Sequence, residues 1–522
     1  MKKNLVLLIL LVFGWFSAYS QDPFVSDLIK KAGDQYSDGD FCLALKSYKT
    51  LYKTDTNNTE YQYKYAVCLI ETNRDIELAI RLLEKNRENE NIEPERLFHL
   101  ARGYHSIYEF TKAVELFVDY REKPNINENL KPEVERNIQM AYNAKEIMSQ
   151  PLNVSFENLG EKINSSLDEV NPFVPGDESY LVFGTNKSFD PVYGTFVTNV
   201  FTSTPNKKGW NQGSSDKQIN SYDNELPVFL SKDGKTCIIC NNLDGQFSDL
   251  IIAEKKGKDF RMVEKYNSIL KKTNSTSYEI GGSFNKDFNT FFFSSNRKGG
   301  LGGFDIYCIK KLPNGDWSEP ENLVEVNSPY DDAFPIIQDN SEELYFASKG
   351  HNSIGGYDLF VSYWNRVSQK WTKPINLGYP INSVDDNTTI CFPDNKRYAY
   401  LSTIRKEGLG GYDIYRLIYN DVELELSLIK GELRFGEQES STSFKGESSE
   451  VSIQIFDVFG NLFGIYLPKP GTGNFVAVLP PGNYTINIEY DGFEKYEETF
   501  SIGDRNLFRE EIEKKYYLLE SR

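Results

Sequence analysis

The chain has 522 residues, which at roughly 100–200 residues per domain predicts three or four domains. Hydrophobic residues make up 39% and aromatic residues 14%, a composition too rich in ring side chains for a disordered protein. The formal charge of -18 repels phosphate backbones and anionic lipids, so we expect no nucleic-acid partner. Three histidines, His99, His105 and His351, leave little material for histidine-based metal or acid–base sites.

The first twenty residues have the pattern of an export signal. Lys2 and Lys3 precede an apolar run that extends from Leu5 to Phe13, and small residues at Ala18 and Ser20 stand before Gln21. This pattern predicts a cleaved signal peptide over residues 1–20. The alternative, a membrane anchor, would need about 20 apolar residues. We therefore expect an exported protein with no transmembrane segment after cleavage.

Small residues recur with a helical-repeat period in the first third of the chain. Ala32 is followed by Ala66 after 34 residues and by Ala101 after a further 35. A second set trails the first by 12 or 13 residues: Ala44, Ala79 and Ala113. This spacing resembles that of tetratricopeptide repeats. The resemblance implies an all-α array of helix pairs over residues 22–150.

The same resemblance implies a concave groove formed by the first helix of each repeat, suited to protein partners. Several of the positions carried over from the family would serve equally well as core, and that alternative stays open. The candidate groove residues are Tyr36, Tyr63, Val67, Ile70, Phe98, Arg102 and His105, with Ile29 and Gly33 as further members.

From residue 151 the pattern changes to short strands separated by Gly, Asn and Asp turns, which indicates β structure. Asn-Ser pairs recur at intervals of 53–56 residues, and each opens a unit of about four strands: Asn164-Ser165, Asn220-Ser221, Asn274-Ser275, Asn327-Ser328 and Asn382-Ser383. Within the later units, Gly-Gly-aromatic-Asp recurs at Gly302, Gly355 and Gly410. Four strands at this period predict propeller blades.

The number of blades follows from a leftover segment. Residues 158–165 match residues 376–383 at both ends, yet no set of three strands precedes them. The strand near 154–159 is therefore expected to complete the last blade, giving a five-bladed β-propeller over residues 151–420. Closure of this kind removes exposed strand edges.

Acidic residues beside the glycine turns invite a metal or catalytic interpretation, with Asp305, Asp358 and Asp413 as the recurring set. Because they recur once per blade, they should lie on different blades, and an aspartate that bonds its own turn amides explains the recurrence better. Calcium at a blade loop is the alternative. The sequence predicts no catalytic residue, no cofactor and no metal site.

The end of the chain, residues 421–522, has the alternation of strands followed by a charged tail. The segment Pro480-Pro481-Gly482-Asn483-Tyr484 leads into a strand-like run. Residues 428–505 resemble the carboxypeptidase regulatory-like domain. The resemblance implies a small β-sandwich without an active site.

The expected fold class is thus multidomain, with an all-α tetratricopeptide array, a five-bladed β-propeller and a small β-sandwich. This order resembles PorE-type periplasmic proteins of the Bacteroidota type IX secretion and gliding machinery. The resemblance implies a periplasmic protein peripheral to the outer membrane, or one at the cell surface. It also implies protein partners from the outer membrane or the secretion system. Those proteins normally end in an OmpA-like peptidoglycan-binding domain, which we do not expect here because the chain stops at Arg522.

Together these features predict a scaffold that is exported, binds envelope proteins and is not an enzyme. A glycan-binding surface protein is the alternative. A propeller-based hydrolase is less favoured, since no Gly-x-Ser-x-Gly elbow is followed by a plausible hydrolase domain.

Overall fold

The computed structural model describes residues 23–521 except 90, 125, 191–194, 222–223, 243–247, 340, 395–396, 421–425, 448–449, 458–459, 481 and 503–510. The chain divides into two compact units, Met1–Glu146 and Ile147–Arg522. The predicted signal peptide, 1–20, and the predicted start of the last domain, 421–425, lie outside the described residues. Within the described ranges, no helix combines the length and apolarity needed to cross a bilayer.

The described part of the first unit is helical. Its helices are α1 (Pro23–Ser37), α2 (Phe41–Thr54), α3 (Thr59–Glu71), α4 (Ile76–Lys85), α5 (Glu95–Ser106), α6 (Phe110–Glu122) and α7 (Lys131–Ile147), the last preceded by a 3₁₀ turn at Glu128–Leu130. Asp40, Asn58 and Asp75 cap α2, α3 and α4, each accepting a backbone N–H three residues later. Such caps satisfy donors that a helix start leaves free.

Consecutive helices from α1 to α6 pack against each other. The periodic alanines lie in these contacts and are fully buried: Ala32, Ala44, Ala66, Ala79, Ala101 and Ala113. A methyl side chain at such a point lets two helix backbones approach closely. The remaining core comes from larger side chains such as Leu51, Leu83 and Phe117.

The predicted fold class is wrong in its all-α tetratricopeptide component. The chain is mostly β, with 37% strand and 23% helix, and the helices are eight short ones in the part described. The alanine period reports where helices come close together, a need that any packed series of helix pairs shares. It therefore does not identify the tetratricopeptide family.

The second unit begins with five antiparallel sheets that form a β-propeller and a separate two-stranded sheet, formed by the fifth and sixth strands. Their strands are β1 (Val154–Asn158), β2 (Glu169–Phe173), β3 (Leu181–Asp190), β4 (Thr195–Ser203), β5 (Pro205–Asn206), β6 (Gly209–Trp210), β7 (Ser214–Ser215), β8 (Asn224–Leu230), β9 (Thr236–Asn242), β10 (Asp249–Lys256), β11 (Asp259–Met262), β12 (Glu279–Phe284), β13 (Thr290–Ser295), β14 (Asp305–Lys310), β15 (Glu321–Asn322), β16 (Asp332–Ile337), β17 (Glu343–Ser348), β18 (Asp358–Asn365), β19 (Lys370–Trp371), β20 (Ile375–Asn376), β21 (Ile390–Cys391), β22 (Tyr398–Thr403) and β23 (Asp413–Tyr419). A 3₁₀ turn at Glu264–Tyr266 and helix α8 (Asn267–Thr273) follow β11.

The sheets are numbered here as blades in chain order. Blade 1 contains β2, β3, β4 and β7, blade 2 contains β8–β11, blade 3 contains β12–β15, blade 4 contains β16–β20, and blade 5 contains β1 with β21–β23. The first strands β2, β8, β12 and β16 contact one another in turn, and β2 also contacts β21 and β22. In blade 5, β1 runs antiparallel to β23, from Val154 opposite Tyr419 to Asn158 opposite Tyr415. Blade 5 therefore joins strands from both ends of the propeller segment.

The first strands approach one another closely at the centre of the ring. The Asn171 side chain donates to the Pro227 carbonyl at 3.0 Å and accepts from the Thr388 hydroxyl at 3.2 Å. Gly281 faces the Phe334 backbone so closely that an added Cβ would lie 2.8 Å from the Phe334 Cα. The centre is thus held by backbone and amide contacts with little free volume beside Gly281.

The described remainder of the second unit is a two-sheet sandwich. Its strands are β24 (Ser427–Phe435), β25 (Thr442–Ser443), β26 (Val451–Asp457), β27 (Leu462–Tyr466), β28 (Asn474–Leu479), β29 (Gly482–Tyr490), β30 (Tyr496–Ile502) and β31 (Glu511–Leu518). One sheet has β25 and β28 along one edge of β24 and β31, in parallel, along the other. The second sheet has the order β27-β26-β29-β30. Alternate residues such as Ile453, Ile486 and Leu433 fill the core between them.

We expect Gly281→Ala to destabilise the propeller by about 1–3 kcal/mol, because the new methyl group must displace main-chain atoms of Phe334. Differential scanning calorimetry should show a lower melting temperature for this variant. Gly33→Ala is the matched control, since nothing lies within 4 Å of its added Cβ in helix α1. The control should melt at or slightly above the parent temperature. A Gly281→Ala variant as stable as the parent would contradict the close packing of Gly281 against the Phe334 backbone.

Candidate functional site

The predicted groove residues lie on three helices of the first unit. Ile29, Gly33 and Tyr36 are on α1, and the remainder are on α3 and α5. Five of them are at most 6% exposed: Tyr63, Val67, Ile70, Phe98 and His105. Tyr36 is half-buried and packs edge-on against Phe41 and Tyr48. Most of the set therefore belongs to the core, and its role as a protein-binding groove stays a prediction.

Arg102 is the charged member of this set. Its guanidinium donates to both carboxylate oxygens of Glu71, with Nη2 3.1 Å from Oε2. His99 Nδ1 lies 3.6 Å from Glu71 Oε1. Burial, aided by the Arg102 charge, lowers the pKa of His99 to about 3. Burial likewise lowers the pKa of His105 to about 4, so both imidazoles are neutral near pH 7.

In the propeller, the recurring asparagines join neighbouring blades. Each side-chain amide bonds both the N–H and the C=O of one residue in the third strand of the preceding blade, at 2.7–3.1 Å. The pairs are Asn164 with Ile414, Asn220 with Val200, Asn274 with Leu250, Asn327 with Ile306, and Asn382 with Leu359. The amide thus continues the strand's hydrogen-bond pattern in place of a peptide group. This explains why the sequence repeats an asparagine at every blade.

The serine after each asparagine binds the start of the next first strand. Its N–H and hydroxyl both donate to the polar side chain four residues later. The acceptors are at most 1% exposed: Glu169, Glu225, Glu279, Asp332 and Asn387. The Asn-Ser pair therefore determines the path of the chain from one blade to the next.

Three of these buried carboxylates have a basic partner in the second strand or on the loop that follows it. The pairs are Lys187 with Glu169 at 3.1 Å, Arg297 with Glu279 at 3.2 Å, and His351 with Asp332 at 3.7 Å. The histidine pair is the most distant of the three. Burial, with the Asp305 charge nearby, raises the pKa of Asp332 to about 7 despite bonds from Ser348 and Ser328.

The Gly-Gly-aromatic-Asp loops pack against these Asn-Ser connections between blades, which we call the joints. Asp305 accepts the backbone N–H groups of Leu301 and Gly302, as the sequence predicts for an aspartate that bonds its own turn. Asp358 and Asp413 accept equivalent turn amides. A Cβ at Gly302 would overlap the carbonyl of Tyr330 in the next joint, which is why glycine stands there. Among the residues the structure describes, no group of three or more His, Cys, Asp or Glu side chains could hold a metal.

Two edge strands of the terminal sandwich expose apolar side chains. In the described part of the chain, β27 is at the edge of one sheet, β28 is at the edge of the other, and the two strands contact each other. The apolar side chains that these strands turn away from the core, with that of the residue after β27, are 44–62% exposed: Leu462, Phe463, Ile465, Leu467, Val476 and Val478. We call these six residues the apolar edge. Such a contiguous patch is typical of a contact surface.

The sequence analysis missed the apolar edge, although a signal for it exists. A strand with one buried face should alternate apolar and polar residues. In β28, Phe475, Ala477 and Leu479 face the core, yet Val476 and Val478 on the other face are also apolar. The departure from alternation is the signal.

The sequence matches no protein-family model and no curated protein. Solved structures with a similar fold include a TolB protein from Agrobacterium tumefaciens, at 12% identity over 63% of this chain and 97% of that one, with a TM-score of 0.29. A thermostable family-43 glycoside hydrolase matches at 11% identity over 60% and 98%, with a TM-score of 0.35. A fructofuranosidase from Schwanniomyces occidentalis matches at 9% over 70% and 90%, with a TM-score of 0.32. Such similarity assigns no activity to this chain.

The prediction that this protein is not an enzyme is contradicted. The similar solved structures include glycoside hydrolases, a fructofuranosidase and a prolyl endopeptidase. The prediction relied on few histidines and on the lack of a serine elbow, which remove only some reaction types. Glycoside hydrolysis needs two carboxylates, which a chain with 76 acidic residues can supply. A propeller sequence is therefore no basis for excluding catalysis.

Asp332→Asn should change the pH dependence of stability. The folded pKa of about 7 exceeds the unfolded value of about 3.9, so between these values the folded state binds a proton that the unfolded state releases. The contribution of Asp332 to the free energy of unfolding is thus complete below about pH 4 and is lost as the pH rises through about 7. The variant, which lacks this titration, should be more stable than the parent at pH 8 by about 1–3 kcal/mol. Melting temperatures from pH 4 to pH 8 measure the difference.

Asn387→Asp is the mirror-image control, because Asn387 holds the same place in blade 5 and accepts the Ser383 N–H at 2.8 Å. A new carboxylate there should lower stability at pH 8 more than at pH 5. Burial lowers the pKa of His351, which faces Asp332, so its ring is neutral at pH 8. Parallel pH profiles for the parent and Asp332→Asn would contradict the assignment.

Proposed function

We propose that this protein is exported and binds other proteins of the cell envelope, and that the apolar edge is its principal contact surface. The supporting observation is the exposure of Leu462, Phe463, Ile465 and Leu467 along one edge strand. Exposed leucine, isoleucine and phenylalanine side chains gain free energy when a partner removes them from water, at about 25 cal/mol per Å².

The edge position of β27 favours an extended protein segment as the partner. An edge strand offers backbone N–H and C=O groups to an incoming strand, while its side chains give the contact specificity. The formal charge of -18 disfavours an anionic lipid surface as the alternative occupant. A protein strand can therefore pair with the free backbone groups of β27, and the negative charge of the chain does not disfavour it.

Export and the envelope location are part of this proposal. They rest on the signal-like residues 1–20 and on the resemblance of the domain order, a helical segment followed by a propeller and a terminal sandwich, to PorE-type proteins. We accordingly propose partners among outer-membrane or type IX secretion components, with the protein in the periplasm and peripheral to the outer membrane.

The partner test uses the tagged full chain expressed in its native bacterium and crosslinked before the envelope is extracted. We expect outer-membrane or secretion components to be recovered with the parent protein. The double variant Ile465→Lys and Leu467→Lys should recover about tenfold less of them, because an unpaired ammonium group would be buried in the contact.

Val367→Lys is the control, since Val367 is 97% exposed on a propeller loop outside the apolar edge. It adds one lysine, where the double variant adds two, at an exposed apolar position and should leave recovery unchanged. Equal recovery of the same proteins with the double variant would show that the apolar edge is not the surface that binds them. Recovery of no envelope protein with the parent would refute the proposed function itself.

Export has its own test. The protein purified from native cells should begin at Gln21, because Ala18 and Ser20 provide the small residues before that position. Mass spectrometry of the intact protein and of its N-terminal peptide measures the cleavage site. A mature protein that retains Met1–Ser20 would contradict export by a cleaved signal.

A further inference from the structure

Three clefts of similar size lie between neighbouring blades. The cleft between blades 1 and 2 has a volume of about 540 Å³, that between blades 2 and 3 about 570 Å³, and that between blades 3 and 4 about 630 Å³. All three are within the roughly 300–1,000 Å³ range of small-molecule sites. Because the blades repeat, the clefts have equivalent walls and can be compared position by position.

One position distinguishes the third cleft from the other two. Lys255, Lys311 and Trp364 each line their cleft and each stand six residues after the aspartate that begins the third strand of a blade. In the first cleft the Lys255 ammonium lies 3.8 Å from the centre of the Tyr180 ring and covers it. In the third cleft a lysine is replaced by a tryptophan, so an indole ring forms the wall.

Trp364 is held in place by its neighbour. It pairs across strands with Trp371, and the two ring centres are 5.4 Å apart at an interplanar angle of 66°. Trp371 is only 9% exposed and packs edge-on against Phe292, 6.0 Å away. Trp364 is half-buried, so part of its ring is accessible to a ligand. The buried Trp371 thus supports the more accessible Trp364.

The rest of the lining is polar and carries balanced charge. Lys310 lies 4.0 Å from Glu321, and Lys370 lies 3.4 Å from Glu325. Among the described residues that line the cleft, these four are charged, and their charges cancel. Gln369 is exposed at the same wall and adds an amide that can both donate and accept. A strongly charged ligand would gain little from such a lining.

We propose that the cleft between blades 3 and 4 binds a neutral oligosaccharide, with one pyranose ring stacked on Trp364. A pyranose has an apolar face of C–H groups, which matches an accessible indole ring. Its hydroxyl groups both donate and accept, which matches the ammonium groups of Lys310 and Lys370, the carboxylates of Glu321 and Glu325, and the Gln369 amide. A purely apolar ligand would remove these groups from water without offering them hydrogen bonds in return. This site is separate from the apolar edge and does not depend on the proposed function.

The test measures binding of the full chain to an array of plant, fungal and bacterial oligosaccharides, followed by titration calorimetry with each glycan that binds. We expect at least one neutral glycan to bind. Trp364→Ala should weaken its affinity by on the order of tenfold or more, because the stacking surface is removed. Trp364→Phe keeps an aromatic ring and should retain more of the affinity than Trp364→Ala.

Lys311→Ala is the matched control, because Lys311 holds the equivalent position in the neighbouring cleft. It should bind the glycan as the parent does. Circular dichroism and the melting temperature establish that each variant is folded. Binding of no glycan on the array by the parent, or equal affinity of the folded Trp364→Ala variant, would overturn the proposal. If glycan binding is lost in Lys311→Ala but kept in Trp364→Ala, the binding site lies in the cleft between blades 2 and 3, which would also overturn the proposal.

Discussion

The amide of one asparagine per blade is the interaction on which the propeller depends. Each amide bonds the N–H and C=O of one residue in the preceding blade, as a peptide group in a further strand would. It extends the sheet by one residue while its own main chain is free to turn toward the next blade. The joint between Asn164 and Ile414 spans 250 residues and uses the same bonds as the joints within the series. The ring therefore closes by a contact that the sequence already repeats elsewhere.

This joint has an electrostatic consequence. The serine that follows the asparagine brings a carboxylate into a fully buried position at the start of the next blade, where a charge must have partners. Glu169 and Glu279 have Lys187 and Arg297 as partners. Blade 5 meets the same requirement differently, since Asn387 carries no charge. The equivalent arginine there, Arg405, pairs with Glu407 at 2.7 Å. The position is therefore defined by its hydrogen bonds to serine and not by its charge.

The sequence predicted those parts of the molecule that repeat. The Asn-Ser spacing, the paired glycines and the short apolar strands all have local causes, so the propeller strands could be located from the residues alone. The helical unit shows the limit of this reasoning. Ala66 and its equivalents marked helix contacts correctly, but the same small residues suit many helical packings, and the family assignment failed. Tyr63 and Phe98, carried over as groove residues, are buried because the positions of a family do not determine exposure in a particular chain.

The features missed from the sequence are departures from a regular pattern, either the repeat of the blades or the alternation of a one-sided strand. Trp364 occupies a place where two other blades have lysine, and Val476 occupies an outward position where a one-sided strand calls for a polar residue. A search for repeats averages such positions away, since it keeps what the blades share. Residues shared by all blades are occupied in holding the fold, as the buried asparagines are. A residue that departs from its equivalents, is accessible and lines a cleft or an edge is free to contact something else. Functional residues in a repeat protein are therefore best sought among solvent-accessible positions that differ from their equivalents in the other repeats.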